Sequence, residues 1–127
     1  MLYKNENIER GININCKKQD FLKEIFEGLK VIETRKKPTL NCYLNKKVGL
    51  IRTGCGPAEL VGFARIKEVK IYNTKKEFRE DYNLHQVAEG SPFDIEENGV
   101  KYGYVLEEVE EIEPVRITSR GIIARAI

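Results

Sequence analysis

KKQDFLKEIFEGLKVIETRKK, residues 17–37, reads as a helix, a stop and a strand. Phe21, Leu22, Ile25 and Phe26 fall at the i, i+1, i+4, i+5 spacing of an amphipathic helix. Gly28 sits where that helix must end, because glycine takes the left-handed conformation at a helix C-terminus without steric cost. The segment VIETRK that follows is expected to be a strand. Alternation then puts Val31, Glu33 and Arg35 on one face and Ile32 and Thr34 on the other. Lys30, at the junction, is free of that alternation and within reach of the Glu33 face.

Around this stretch the chain reads mostly as strands. GININC (11–16) alternates apolar and polar residues, and VGLIRT (48–53) has the look of a buried strand. GCGPAE (54–59) is a turn built on two glycines and a proline. LVGFARIKEVKIY (60–72) is a long strand whose alternation slips between Ile66 and Val69, the mark of a bulge that bends it. Residues 74–88 are expected to be helical, with Thr74 as cap and Phe78, Tyr82 and Leu84 packing inward. YGYVLEEVEEI (102–112) is a further strand, and VRITSRGIIARAI supplies one or two more. About six strands and two helices in one domain, 1–127, give an α+β, mostly β class. Bulged, glycine-bent strands favour a small closed or nearly closed barrel with helices plugging its ends.

Composition sets limits. The 127 residues are 41% hydrophobic and 33% charged, an ordinary globular balance. MLYKNENIER is too polar for a signal peptide and no apolar run is long enough to span a bilayer, so a cytoplasmic location without a membrane partner is expected. Cys16, Cys42 and Cys55 lack the spacing of a zinc site or a disulfide framework. With His85 as the sole histidine, a multi-imidazole metal site is excluded within one chain, and neither metal nor cofactor is expected. Charge is uneven: residues 1–75 carry 16 Lys and Arg against 8 acids, and residues 76–127 carry 6 against 12. Such asymmetry points weakly to an anionic partner for the first part, since folding can interleave the two.

Lys30, Glu33 and Arg35 combine an acceptor with two donors. A carboxylate reads the amino edge of a base, and arginine holds a phosphate or carbonyl through two bonds. The plain alternative is a solvated ion pair worth about 0–1 kcal/mol. From residue 30 to 52 the cations Lys30, Arg35, Lys36, Lys37, Lys46, Lys47 and Arg52 face Glu33 as the single acid, a density that suits a phosphate backbone. Tyr43 lies among them as a stacking surface for a base. A lysine-rich solvated loop explains the same residues. His85 is a general base or, by the plainer account, a packed side chain. Glu107, Glu108, Glu110, Glu111 and Glu113 form an acidic run that would repel nucleic acid.

The pattern G-x-K-x-x-E-x-R directly after an amphipathic helix, here Gly28, Lys30, Glu33 and Arg35, resembles the signature of the ASCH domain family, which shares the PUA-like barrel. VGLIRTG resembles that family's next strand, ending in a small hydroxyl residue, here Thr53. ELVGFARIKEV and YGYVLEEVEEIEPV resemble its later strands, so the likeness spans about residues 11–127. The resemblance implies a cleft between barrel and first helix lined by Lys30, Glu33 and Arg35, and binding of RNA or a nucleotide-like ligand. Ligand contacts are then expected from Lys30, Glu33, Arg35, Lys36, Lys37, Tyr43, Lys46, Lys47 and Thr53. The same resemblance implies an alternative, a hydrolase acting on an acylated nucleoside or on RNA, in which Lys30 and Glu33 are catalytic. In the family's amidohydrolases a threonine stands where this chain has Glu33. Thr34 is its neighbour but is expected to face away, and Glu77 or Glu80 would stand for a later glutamate.

Overall fold

The computed structural model describes residues 1–127. The helix of the opening stretch is α1, Phe21–Phe26, capped by Asp20, whose carboxylate accepts from the Lys23 amide. Phe21, Leu22 and Ile25 are buried, as the spacing requires. Gly28 follows with φ +79°. A hairpin that the sequence did not announce precedes it, β1 (Leu2–Tyr3) and β2 (Glu6–Asn7), turning through Lys4 and Asn5 at positive φ. Its Tyr3 ring stacks on Phe63 with centroids 4.2 Å apart.

The remaining strands are β3 (Arg10–Asn15), β4 (Ile32–Arg35), β5 (Lys47–Thr53), β6 (Glu59–Tyr72), β7 (Lys101–Arg116) and β8 (Ala124–Ala126). They form one six-stranded sheet in the order β4-β7-β6-β5-β3-β8. The β3–β5 pairing is parallel and the others antiparallel. The bulge expected between Ile66 and Val69 is present: Ile66 pairs with Leu106 but Glu68 with Val105. Two more register shifts, at Leu60/Gly62 and Phe63/Arg65, bend the same β6–β7 ribbon. Glu108, in the second of them, takes φ +51°. Each extra residue increases local twist and curls the sheet.

The curl does not close a barrel, which corrects the closed form of the expectation. No ladder joins β4 to β8. Both end strands are short, four and three residues. A single side chain spans the gap instead: Arg35 on β4 donates from Nη2 to the Asn13 carbonyl on β3 at 2.8 Å.

The second helical stretch is broken in two, α2 (Lys75–Glu80) and α3 (Tyr82–His85), giving three short helices rather than two. Thr74 caps α2 through the Glu77 amide. Phe78 is buried, but Tyr82 and Leu84 face solvent. The main core joins α1 to the sheet through Ile12, Ile14, Leu50, Ile66, Tyr72 and Tyr104. The basic and acidic parts of the sequence interleave. Lys4–Glu110, Lys36–Glu96, Arg65–Glu108, Lys70–Asp81 and Lys75–Glu97 are ion pairs between residues 1–75 and 76–127. The charge asymmetry of the sequence is thereby largely cancelled in space. No helix is long and apolar enough to cross a membrane.

Candidate functional site

The gap left by the unclosed sheet is a cleft of about 410 Å³. One wall is β4, with Glu33, Thr34, Arg35 and the following Lys36; the other is β3, with Asn13, Ile14 and Asn15. Thr53 ends β5 at the cleft, Lys101 begins β7 there, and Phe21 of α1 meets Phe93 from the loop before β7. Gly121, Ile122 and Arg125 complete the rim. Among these side chains four cations face one carboxylate.

That carboxylate is fixed. Glu33 is only 6% exposed. Its Oε2 accepts from Arg35 Nε at 3.2 Å and Nη2 at 3.0 Å. Its Oε1 lies 3.7 Å from the Lys30 ammonium. Two residues apart on one strand, Glu33 and Arg35 share a face, so the pair is local, and the Arg35–Asn13 bond ties it to the opposite wall. Asn13 is a hub that the sequence reading passed over. Its side chain donates to the Gly121 and Ile122 carbonyls and accepts from Arg125 Nε. The rim loop is thus held to β3.

Lys30 lies beneath the cleft rather than on its wall. Its side chain is fully buried. The ammonium donates to the His85 carbonyl at 2.5 Å and sits 4.5 Å from the centre of the Phe21 ring. Burial pushes its pKa down, against the pull of Glu33 and Glu24. His85 is packed, not poised for catalysis. It stacks on Phe78, its Nδ1 accepts from the Val87 amide, and its Nε2 contacts the Phe78 carbonyl at 2.6 Å, which fixes the proton on Nε2. Burial lowers its pKa and keeps it neutral.

The structure divides the other expected residues. Glu33, Arg35, Lys36 and Thr53 meet in the cleft. Lys37 borders a smaller recess of about 240 Å³, shared with Lys36 and Lys101. Tyr43, Lys46 and Lys47 line a separate groove with Glu6, Glu9, Arg10 and Arg65. There Lys47 pairs with Glu110 of the acidic run, so that groove is less cationic than the sequence implied. Thr34, expected to face away, contributes to the cleft wall, while Glu77 and Glu80 are exposed outside it.

Lys101 was missed. It is 4% exposed, lines the cleft, and has no acid within 4.0 Å. Burial first, and the nearby Lys36 second, lower its pKa to about 8.

No family model matches the chain, and no curated protein matches it. Solved structures do. The ASCH from Zymomonas mobilis aligns with a TM-score of 0.67 at 17% identity, over 85% of this chain and 73% of that one. A serine-to-alanine variant of the Zymomonas mobilis ASCH protein gives 0.69 at 14% identity, over 93% and 87%. A tyrosine-to-phenylalanine variant gives 0.67 at 17% identity, over 85% and 75%. This chain has the ASCH-domain fold. The likeness lies in the path of the backbone; in this chain Lys101 and Arg125 line the cleft beside the expected Glu33 and Arg35.

Proposed function

We propose that this ASCH-fold chain binds RNA or a nucleotide in the cleft between β4 and β3. The observation that carries the reading is the buried Glu33 carboxylate, held at one oxygen by Arg35 on the wall of a cavity where cations predominate. Its second oxygen accepts from the amino edge of a base, with Lys30 and Arg35 setting its orientation. Phe93 and Ile122, the latter 93% exposed at the rim, offer apolar contact to the base. Lys36 and Lys101 supply positive charge within the cleft. Lys37, Lys46 and Lys47 add unspecific attraction from outside it.

Titrating a labelled single-stranded RNA at 50 to 300 mM salt tests this. Three or four phosphate contacts predict a slope of log K against log salt of about −2 to −3. Ile122→Ser should weaken binding roughly fivefold and leave the slope unchanged, because it removes apolar contact and no charge. A flat response without bound RNA, together with no rise in melting temperature with nucleotides, defeats the reading.

A hydrolase acting on a modified nucleoside or on RNA is the second reading. It is favoured by the pKa of Lys101, lowered to about 8 by burial, in a cleft that Thr34 and Thr53 also line. In it Glu33 moves the proton and the buried Lys30 positions Glu33. Full turnover of an acylated cytidine by both Glu33→Gln and Lys30→Ala would rule this assignment out.

A further inference from the structure

We propose that the β7 end of the cleft is a subsite for a terminal phosphate, a phosphomonoester held by Lys101 and Lys36. The inference rests on the nucleotide reading above and names the group that enters deepest.

The cleft's other cations are already engaged. Arg35 spends Nε and Nη2 on Glu33 and the Asn13 carbonyl. Arg125 donates to Asn13 and to the Ser119 carbonyl. Lys30 is sealed beneath Phe21 and bound to the His85 carbonyl. Lys101 has neither a hydrogen-bonding partner nor an ion-pair partner in the protein, although it is almost wholly buried; its nearest charge-stabilising neighbour is the Phe78 ring, 5.8 Å from the ammonium. A buried charge without a partner is costly, so an ammonium left open to a cavity is completed by whatever anion fills it.

The placement of Lys36 adds a second, independent sign. Arg35, the last residue of β4, lies opposite Tyr102, and Lys36, the residue after it, lines the same cleft and the same adjoining recess as Lys101. Two like charges in one recess disfavour each other's charged form. Lys36 is relieved only by the exposed Glu96 at 2.8 Å. Two cations converging at a recess match a phosphomonoester, which carries nearly two negative charges at neutral pH. Depth selects a terminal group. A diester in a continuing strand passes the rim, whereas only the end of a ligand reaches a side chain 4% exposed. The near-neutral pKa of Lys101 is consistent: an arriving anion would raise it and draw in a proton.

The test is calorimetric titration of the whole chain with cytidine and adenosine, their 5′- and 3′-monophosphates, short RNAs with and without a terminal phosphate, and inorganic phosphate. Wild type is expected to bind a monophosphate, or a phosphorylated RNA end, at least about tenfold more tightly than the unphosphorylated counterpart. Lys101→Met should abolish that difference, and Lys36→Met, at an exposed position, should reduce it. At pH 8.5 binding to wild type should take up a proton, seen as a dependence of the heat on buffer ionisation. Preference for free monophosphates over RNA ends, or the reverse, identifies the source of the group. Equal affinity for nucleoside and monophosphate overturns the subsite while leaving the nucleotide reading standing. Inorganic phosphate bound by wild type and lost in Lys101→Met, with no nucleoside or RNA bound, upholds the subsite and defeats that reading. Absence of binding by every phosphate-bearing probe overturns both.

Discussion

Replacing Glu33 with leucine is expected to destabilise the fold by about 3–5 kcal/mol, a fall in Tm of roughly 10–20 °C. The substitution takes the carboxylate from Lys30, whose side chain is fully buried. It also leaves Arg35 with only its bond to Asn13. Removing one partner of a buried pair costs more than the pair contributes, because the remaining charge keeps its desolvation penalty. Glu33→Gln preserves shape and an acceptor oxygen, so its loss should be smaller. Lys30→Met combined with Glu33→Leu should recover much of the loss, since no isolated charge remains at that position. The coupling in this double-mutant cycle is the quantity to measure by urea unfolding. A Glu33→Leu protein within about 0.5 kcal/mol of wild type would mean that Lys30 does not depend on the carboxylate.

How much of this arrangement was legible follows from how local its causes are. The α1 face, the stop at Gly28, the Thr74 cap and the slip after Ile66 each rest on a few neighbouring residues, and the structure repeats them. Closure of the sheet does not. It depends on β4 and β8, distant in sequence, being too short and too far apart to pair, and on Arg35 reaching Asn13 across the gap. The break between α2 and α3 was equally hidden. Asp81, at the break, accepts hydrogen bonds from the Tyr72 hydroxyl and Lys70 of β6, partners that helical periodicity cannot report.

The site shows the same division. Glu33 and Arg35 could be paired from alternation alone because they lie on one strand. Tyr43, Lys46 and Lys47 could not be placed. Tyr43 ends the 3₁₀ turn Asn41–Tyr43, Lys46 and Lys47 follow it, and all three line a separate groove. Proximity along the sequence does not report which groove a residue lines. Lys101 carried one available signal: it is the last lysine of the chain and follows a long acidic stretch, at the start of a strand with few other cations. It pairs with Tyr72 of β6, its ammonium lies over the Phe78 ring and it shares the cleft with Phe93, and none of these partners is written in its neighbours.

Lys101→Met is expected to make the protein more stable at pH 7, by about 2–3 kcal/mol, while removing its preference for a terminal phosphate. Burial holds the Lys101 pKa at about 8 in the folded chain, against 10.5 for an ordinary lysine. Below pH 8 the side chain is charged in both states and the folded protein carries the whole penalty. Between 8 and 10.5 the folded state releases its proton first, so the unfolded state binds more protons and stability rises with pH. Methionine retains most of the apolar stem and has no charge to desolvate. Its advantage should therefore shrink to about 1 kcal/mol by pH 9.5. The groups facing Lys101 are Lys36, Glu33, Asp94 and Glu96. Asp94 and Glu96 have lowered pKa values, through Arg79 and Lys36 respectively, and stay ionised across this window. Tyr72, whose pKa is raised by burial and Asp81, opposes the trend only as unfolded tyrosine ionises near pH 10, and it cancels in the difference between the two proteins. Urea unfolding of both proteins at half-unit intervals from pH 7 to 9.5 measures the gap. A gap that stays constant, or a methionine variant less stable at pH 7, would show that Lys101 is accommodated by the protein itself. It would then have no need of an anion from outside, and the cleft would lose the uncompensated charge on which its phosphate chemistry depends.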